Sequence, residues 1–286
     1  MSNGTSGIVY DPSKDLDYIE VNGQKRYLAS KPDTPGKFKA LPKFSDHFSV
    51  MHRADWFEVN RRAVFAAFGT FDQNGHGSCV GNGWAMGMSK ARVLAGMKPV
   101  LLSPAWFYSL INGNSDNGAI ISDGLDAGLN VGCCTFATVG QDPIYQSRMP
   151  SAAKAEAARF KLSRAFQVNS YDEIITALLM PKPMIPVYGY QVGRSFQSFD
   201  RYGVAGHDRG PGNHCNHADG VVKLPDGRWV LDDHNSWDSS WGPFGNGRVY
   251  IDEDHLFGGG DQPDCCIIEA VIEDPQDPTI PPNYQP

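Results

Sequence analysis

Cys79 closes the segment Gln73-Asn74-Gly75-His76-Gly77-Ser78-Cys79, and Asn216-His217-Ala218 and Asn235-Ser236-Trp237 follow far downstream. A thiol, an imidazole and a side-chain amide in that order are the parts of a cysteine nucleophile and its base. With an ordinary pKa of about 8.5, a thiol is barely ionised at neutral pH, so a place at a helix N-terminus helps to form the thiolate. An imidazolium partner does more. His217 lies 138 residues beyond Cys79 and Asn235 a further 18, a separation that lets two lobes face each other across a cleft. The amide of Asn235 is expected to fix the His217 ring by accepting its second N–H, with Trp237 covering that bond from water. Gln73 stands six residues before Cys79. Its side-chain amide and the backbone N–H of Cys79 would make an oxyanion hole for a tetrahedral acyl intermediate.

Other readings of these residues are weaker. His214, Cys215, His217 and Asp219, with Asp232, Asp233 and His234, are metal-ligand types, but their spacing is irregular and no Cys-x2-Cys knuckle accompanies them, so no metal and no cofactor is expected. The glycines at 258–260 lack the strand-to-helix context of a phosphate loop and read as plain loop.

The elements that must position the site follow from pattern. Val80, Trp84, Met88, Ala91 and Ala95 fall on one face of a helix running from Cys79 to about Gly96. Gly81, Gly83 and Gly87 each cost that helix roughly 1 kcal/mol, which close packing against neighbouring backbone would justify. Further helices are expected at 104–112, 119–130 and 152–166, and Ser170-Tyr171-Asp172-Glu173 is a capping-box pattern opening one through Leu179. After Pro181 the character changes to short strands at 185–190, 220–223, 229–231, 248–251 and 267–272, with Pro225-Asp226-Gly227 as a turn. Helices followed by strands imply an α+β chain. Residues 1–53 read as an N-terminal arm without periodicity, 54–273 as the folded domain (helical lobe about 73–170, β-rich lobe about 181–273 with the 54–72 leading segment), and 274–286 as a Pro-rich tail.

Composition sets the outer bounds. The 286 residues, 41% hydrophobic and 20% charged, suffice for a large core. A net charge of −7 and a pI near 5.6 leave no basic footprint, so neither nucleic acid nor a membrane is expected as partner. No signal-peptide pattern opens the chain. Six cysteines include two adjacent pairs, Cys133-Cys134 and Cys265-Cys266, poorly suited to bridging each other, and a working Cys79 leaves an odd number. Reduced, buried thiols in a cytoplasmic or otherwise reducing setting are the expectation.

Taken together these motifs resemble the papain-like cysteine peptidases over residues 54 to 272. The resemblance rests on Gln-x5-Cys, Gly77-Ser78-Cys79, Leu102-Ser103-Pro104, Asp116-Asn117-Gly118, the 125–132 helix end, Lys182-Pro183, His217-Ala218 and Asn235-Ser236-Trp237-x3-Trp241-Gly242 with Gly245 and Gly247. It implies a two-lobed fold, a helical left lobe and a β-barrel-like right lobe with the cleft between them. It also implies peptide-bond hydrolysis through an acyl-enzyme, with Cys79 as nucleophile, His217 as general base and acid, Asn235 as orienter and Gln73 as oxyanion donor. Trp237, Ser78, Asn117 and Gly118 take supporting or substrate-lining positions. The implied partner is a peptide or protein substrate, and the arm or tail could attach a protein partner.

Departures from the family pattern are informative. Val80 replaces a Trp and Asp238 a Gly, putting a charge near the cleft rim. The cysteine usually found three residues before the nucleophile is His76, and its disulfide partner aligns with Asp116, so an ion pair between them is expected in place of the bridge. The long inhibitory propeptide is missing; either none is needed or the short arm blocks the cleft itself. A catalytically idle papain-like module acting as a binding or assembly component is the second functional reading. A Cys-His amidase acting on peptidoglycan would not carry Asn-Ser-Trp.

Overall fold

In the computed structural model the described residues are 8–31, 36–208, 212–258 and 264–270. The arm is more ordered than its sequence suggested. Strands β1 (Val9–Asp11), β2 (Leu16–Val21) and β3 (Gln24–Leu28) form an antiparallel sheet, and β4 (Ser30–Lys31) continues the chain. The missed signal is Asn22-Gly23, which turns β2 into β3 with both residues at positive φ, the two-residue hairpin turn those types favour. A short α1 (Phe44–His47) follows, its Phe44 buried against Phe166.

The helical part comprises α2 (Cys79–Leu94), α3 (Pro104–Ile111), the short strand β5 (Ala119–Ile120), α4 (Ile121–Asn130) and α5 (Ser151–Ala157). Helix α2 is the spine: every residue from Cys79 to Arg92 is buried. Its glycines sit where expected. A Cβ on Gly81 would lie 2.6 Å from Tyr108, on Gly83 2.9 Å from the Cys215 sulphur, and on Gly87 2.9 Å from Val187. Close approach to α3 on one side and to the sheet on the other therefore offsets their poor helix propensity.

The 152–166 helix is a correction. Helix α5 stops at Ala157, and Leu162–Gln167 is a strand, β6, at the sheet edge. The favourable run ends with Arg159, and antiparallel pairing with a later strand, Cys266 opposite Gln167 and Ile268 opposite Ala165, outweighs local helix preference. Helix α6 (Tyr171–Leu179) begins as its pattern predicts, with the Ser170 hydroxyl accepting from Glu173 N at 3.2 Å, a cap worth about 1 kcal/mol.

Strands β7 (Ile185–Val192), β8 (Gly212–Lys223), β9 (Trp229–His234), β10 (Arg248–Ile251) and, after α7 (Glu253–Phe257), β11 (Cys265–Ala270) complete a six-stranded sheet ordered β10-β9-β8-β7-β11-β6. All its pairs are antiparallel. The α+β, two-part architecture with α2 laid against the sheet agrees with the sequence reading. The Pro-rich tail lies outside the described residues. No described helix is long and apolar enough to cross a membrane.

Candidate active site

Cys79 is the first residue of α2 and is fully buried. Burial pushes its thiol up to about 11, while backbone N–H groups of Cys215, Ala29 and Val80 directed at the sulphur pull the other way. Ser78 precedes it as N-cap residue and is held by Asn82, whose Nδ2 donates to the Ser78 carbonyl at 2.8 Å and hydroxyl at 3.0 Å.

The expected His217–Asn235 bond is not formed. The ring that Asn235 meets is His214, Nε2 to Oδ1 at 2.7 Å. Strand geometry explains the exchange. Residues three apart on β8 point to opposite faces. The β8–β9 register pairs His217 with His234, so one step further sets Asn235 opposite Asn216, on the His214 face. Trp237 packs on His214 with ring centroids 4.8 Å apart, so the covering role assigned to it acts on the other histidine. Burial holds His214 down at about 4, with the Asn235 bond opposing, and its Nδ1 is buried without a protein partner. The sequence does contain the signal: Asn-His occurs twice, at 213–214 and 216–217, and the strand's two-residue period separates the faces they serve.

His217 belongs instead to a buried charged cluster behind the site. Asp219 receives both guanidinium nitrogens of Arg248, at 2.8 and 2.9 Å, together with the Lys90 ammonium, and Lys90 Nζ lies 2.7 Å from His234 Nδ1. Burial raises the Asp219 carboxyl, but Lys90 and Arg248 reverse this and hold it well below the usual carboxylate range. Burial draws Lys90 down, and burial with the neighbouring Lys90 keeps His217 well below an ordinary histidine. His217, Asp219 and His234 have ligand atoms within 4.8 Å of one another, the spacing of a metal site. Two of the three are already engaged, however: Asp219 by two cations and His234 by Lys90 and by Thr70 at 3.1 Å, while only His217 has ring nitrogens without a protein partner. A divalent ion would have to displace an ammonium and face Arg248, so this donor set does not suit one.

Gln73 is fully buried and its amide is fixed: Oε1 accepts from Trp237 Nε1 at 3.0 Å, leaving Nε2 to donate. Nε2 bonds the Tyr27 carbonyl at 2.8 Å and the His76 carbonyl at 2.9 Å. The first of these partners belongs to the arm. Ala119 N donates to the Ala29 carbonyl at 3.1 Å, and β4 runs parallel to β5, Ser30 opposite Ala119. Gly118, at φ +80, lies under this crossing; a Cβ there would stand 2.1 Å from the Ala29 oxygen. Gly118 is buried beneath the arm, whereas Asn117 is exposed beside it. The arm thus passes over the thiol from β3 to β4, with a carbonyl on the Gln73 amide.

His76 and Asp116 meet as the departure from the family pattern predicted, Nδ1 to Oδ2 at 3.0 Å. The bond to Asp116 raises the His76 pKa despite its partial burial. Lys14 of the arm also pairs with Asp116, and His76 Nε2 reaches Asp142 at 3.1 Å. All six cysteines are free and buried.

This architecture is that of the papain-like cysteine proteases. The chain is similar to procathepsin B S9 from Trypanosoma congolense, at 13% identity and a TM-score of 0.67 over 94% of each chain. It is also similar to xylellain, a cysteine protease from Xylella fastidiosa, at 19% identity and a TM-score of 0.57 over 95% of this chain and 98% of the other. Bromelain from Ananas comosus matches 74% of this chain and 98% of its own, at 17% identity and a TM-score of 0.54. At these identities the likeness is one of fold. No protein-family model and no curated protein matches the chain.

Proposed function

We propose that the chain is a cysteine peptidase in which Cys79, His214, Asn235 and Gln73 hydrolyse peptide bonds through a thioester acyl-enzyme. The observation that carries this reading is the His214 ring: Asn235 fixes Nε2 and leaves Nδ1 buried without a protein partner, free to serve a thiol. In the proposed reaction His214 takes the Cys79 proton as the sulphur attacks the scissile carbonyl. Gln73 Nε2 and the Cys79 backbone N–H stabilise the oxyanion, and His214 then protonates the departing amine. Water, activated by the same imidazole, cleaves the thioester and restores the thiol. The substrate is a peptide or protein, and six free cysteines favour work in a reducing compartment.

In the form described here the site is closed, because the Tyr27 carbonyl occupies the amide meant for the oxyanion and the thiol is sealed. The same closure favours the second reading, an idle module that uses the fold for binding. A peptide library incubated with the full-length chain, before and after limited proteolysis of the arm, separates the two. Turnover that disappears in Cys79→Ala supports the peptidase, and no turnover from either preparation moves the assignment to the idle module.

A further inference from the structure

Arg26 is a charged residue of the arm that is only 1% exposed. Its Nη1 lies 2.8 Å from Asp72 Oδ1, and its Nη2 lies 3.1 Å from Asp72 Oδ2 and 3.0 Å from Asp238 Oδ2. These carboxylates are tied to the oxyanion donor. Asp72 precedes Gln73, Asp238 follows Trp237, and Asp72 and Trp237 form an antiparallel bridge. Each is also oriented from behind. Asn74 N donates to Asp72 Oδ1 at 2.8 Å, and Ser240 N and hydroxyl donate to Asp238 Oδ1 at 2.6 and 2.5 Å. Asp238 stands at φ +69, a left-handed conformation more readily taken by glycine, the residue the family pattern carries there.

We infer that Asp72 and Asp238 form a subsite for a basic side chain on the Trp237 side of the thiol, filled by Arg26 while the arm is seated and offered to substrate when it leaves. The inference rests on the peptidase reading for its direction. Gln73 Nε2 marks the carbonyl under attack, and the arm crosses it with Ser30 and Lys31 on the β5 side and Arg26 on the other. His214, which hands a proton to the leaving amine, packs on Trp237, so this side receives the departing segment. Two carboxylates held behind a partly open mouth select a guanidinium by charge and by its fork of N–H donors, and an ammonium by charge alone. The arm is then a competitor that borrows the substrate's anchor.

The test uses the full-length chain and iodoacetamide, with modification of Cys79 followed by peptide mapping. Labelling is expected to rise about tenfold or more in Arg26→Gln and in Asp72→Asn/Asp238→Gly, and by less in Arg26→Lys, which keeps the charge without the fork. Unchanged labelling in Arg26→Gln overturns the inference. In that variant, a synthetic peptide of residues 24–31 should protect Cys79 at a lower concentration than its counterpart with Gln in place of the arginine, and the difference should vanish when Asp72→Asn and Asp238→Gly are added. Equal protection by the two peptides overturns the subsite. Arg26→Gln is then given a library of quenched peptides, in which Lys and Arg should be enriched after the cut bond, and the enrichment should be lost when Asp72→Asn and Asp238→Gly are added. Arginine-dependent protection without any hydrolysis would keep the subsite and overturn the peptidase reading, so the two failures are distinguishable.

Discussion

His214 Nε2 lies 2.7 Å from Asn235 Oδ1, while His217, three residues further along β8, faces the opposite side of the strand towards His234. The two histidines should therefore respond differently to substitution. His214→Gln is expected to abolish turnover, a loss of about a thousandfold or more, with thermal stability near that of the native chain. His217→Met removes two buried ring nitrogens without protein partners and should leave turnover largely intact. Parallel kcat and Tm measurements check this; loss of activity in His217→Met with His214→Gln still active would reverse the assignment.

Gln73 makes a second, graded prediction. Removing one oxyanion donor costs roughly 100- to 1,000-fold in kcat, so Gln73→Ala should retain a trace of activity that Cys79→Ala lacks. Because Gln73 Nε2 also holds the Tyr27 carbonyl, the substitution should loosen the arm as well. Faster Cys79 alkylation alongside slower turnover is the expected signature, and pre-steady-state acylation rates with alkylation rates would show it.

The folded chain should lose stability in acid. Burial holds His214 at about 4, below its ordinary 6.5. A histidine depressed by folding contributes stability above its ordinary value, and that contribution is lost as pH falls from about 6.5 through about 4. Urea unfolding measured in steps from about pH 7 down to about pH 4 should show this loss. The loss should flatten in His214→Gln, whereas equal pH dependence in both proteins would trace it to another group.

His76 carries the opposite sign. Asp116 raises its pKa, so its contribution is fully present below about 6.5 and is lost as pH rises through the raised value. The pair is partly exposed, and its worth is expected to stay under about 1 kcal/mol. Tm measured from about pH 6 to pH 9 should decline more steeply in the native chain than in His76→Asn; parallel profiles would show that the pair contributes nothing measurable.

Lys90 tests the cluster beneath the site. Replacing one member of a fully buried ion pair leaves its partner short of a counter-charge and costs about 3–5 kcal/mol. Lys90→Met should fall near the lower figure, since Arg248 still grips Asp219 through two bonds. Urea unfolding is the measurement, and a change within about 0.5 kcal/mol would show that Lys90 is held neutral and adds little.

Much of this was legible in the residues themselves. The spacing of Val80, Trp84, Met88 and Ala91 gives the buried helix that starts at Cys79, and the Gln73 and Asn235 contexts name two further polar groups that end in one site. Three things depended on pairing between distant segments. Leu162–Gln167 is a strand because β11 lies beside it, not because its residues resist a helix. The choice between two Asn-His dipeptides turns on the register of β8 against β9, and a one-residue change of register exchanges the faces. The arm's place over the thiol follows from contacts made across the fold, Tyr27 to Gln73 and Arg26 to Asp72 and Asp238, which no local pattern encodes. Residue types and their spacing already name the chemical groups present and the helix that presents the thiol. Tertiary structure decided which imidazole Asn235 orients and what covers the thiol, because both depend on strand faces and long-range contacts rather than on order along the chain.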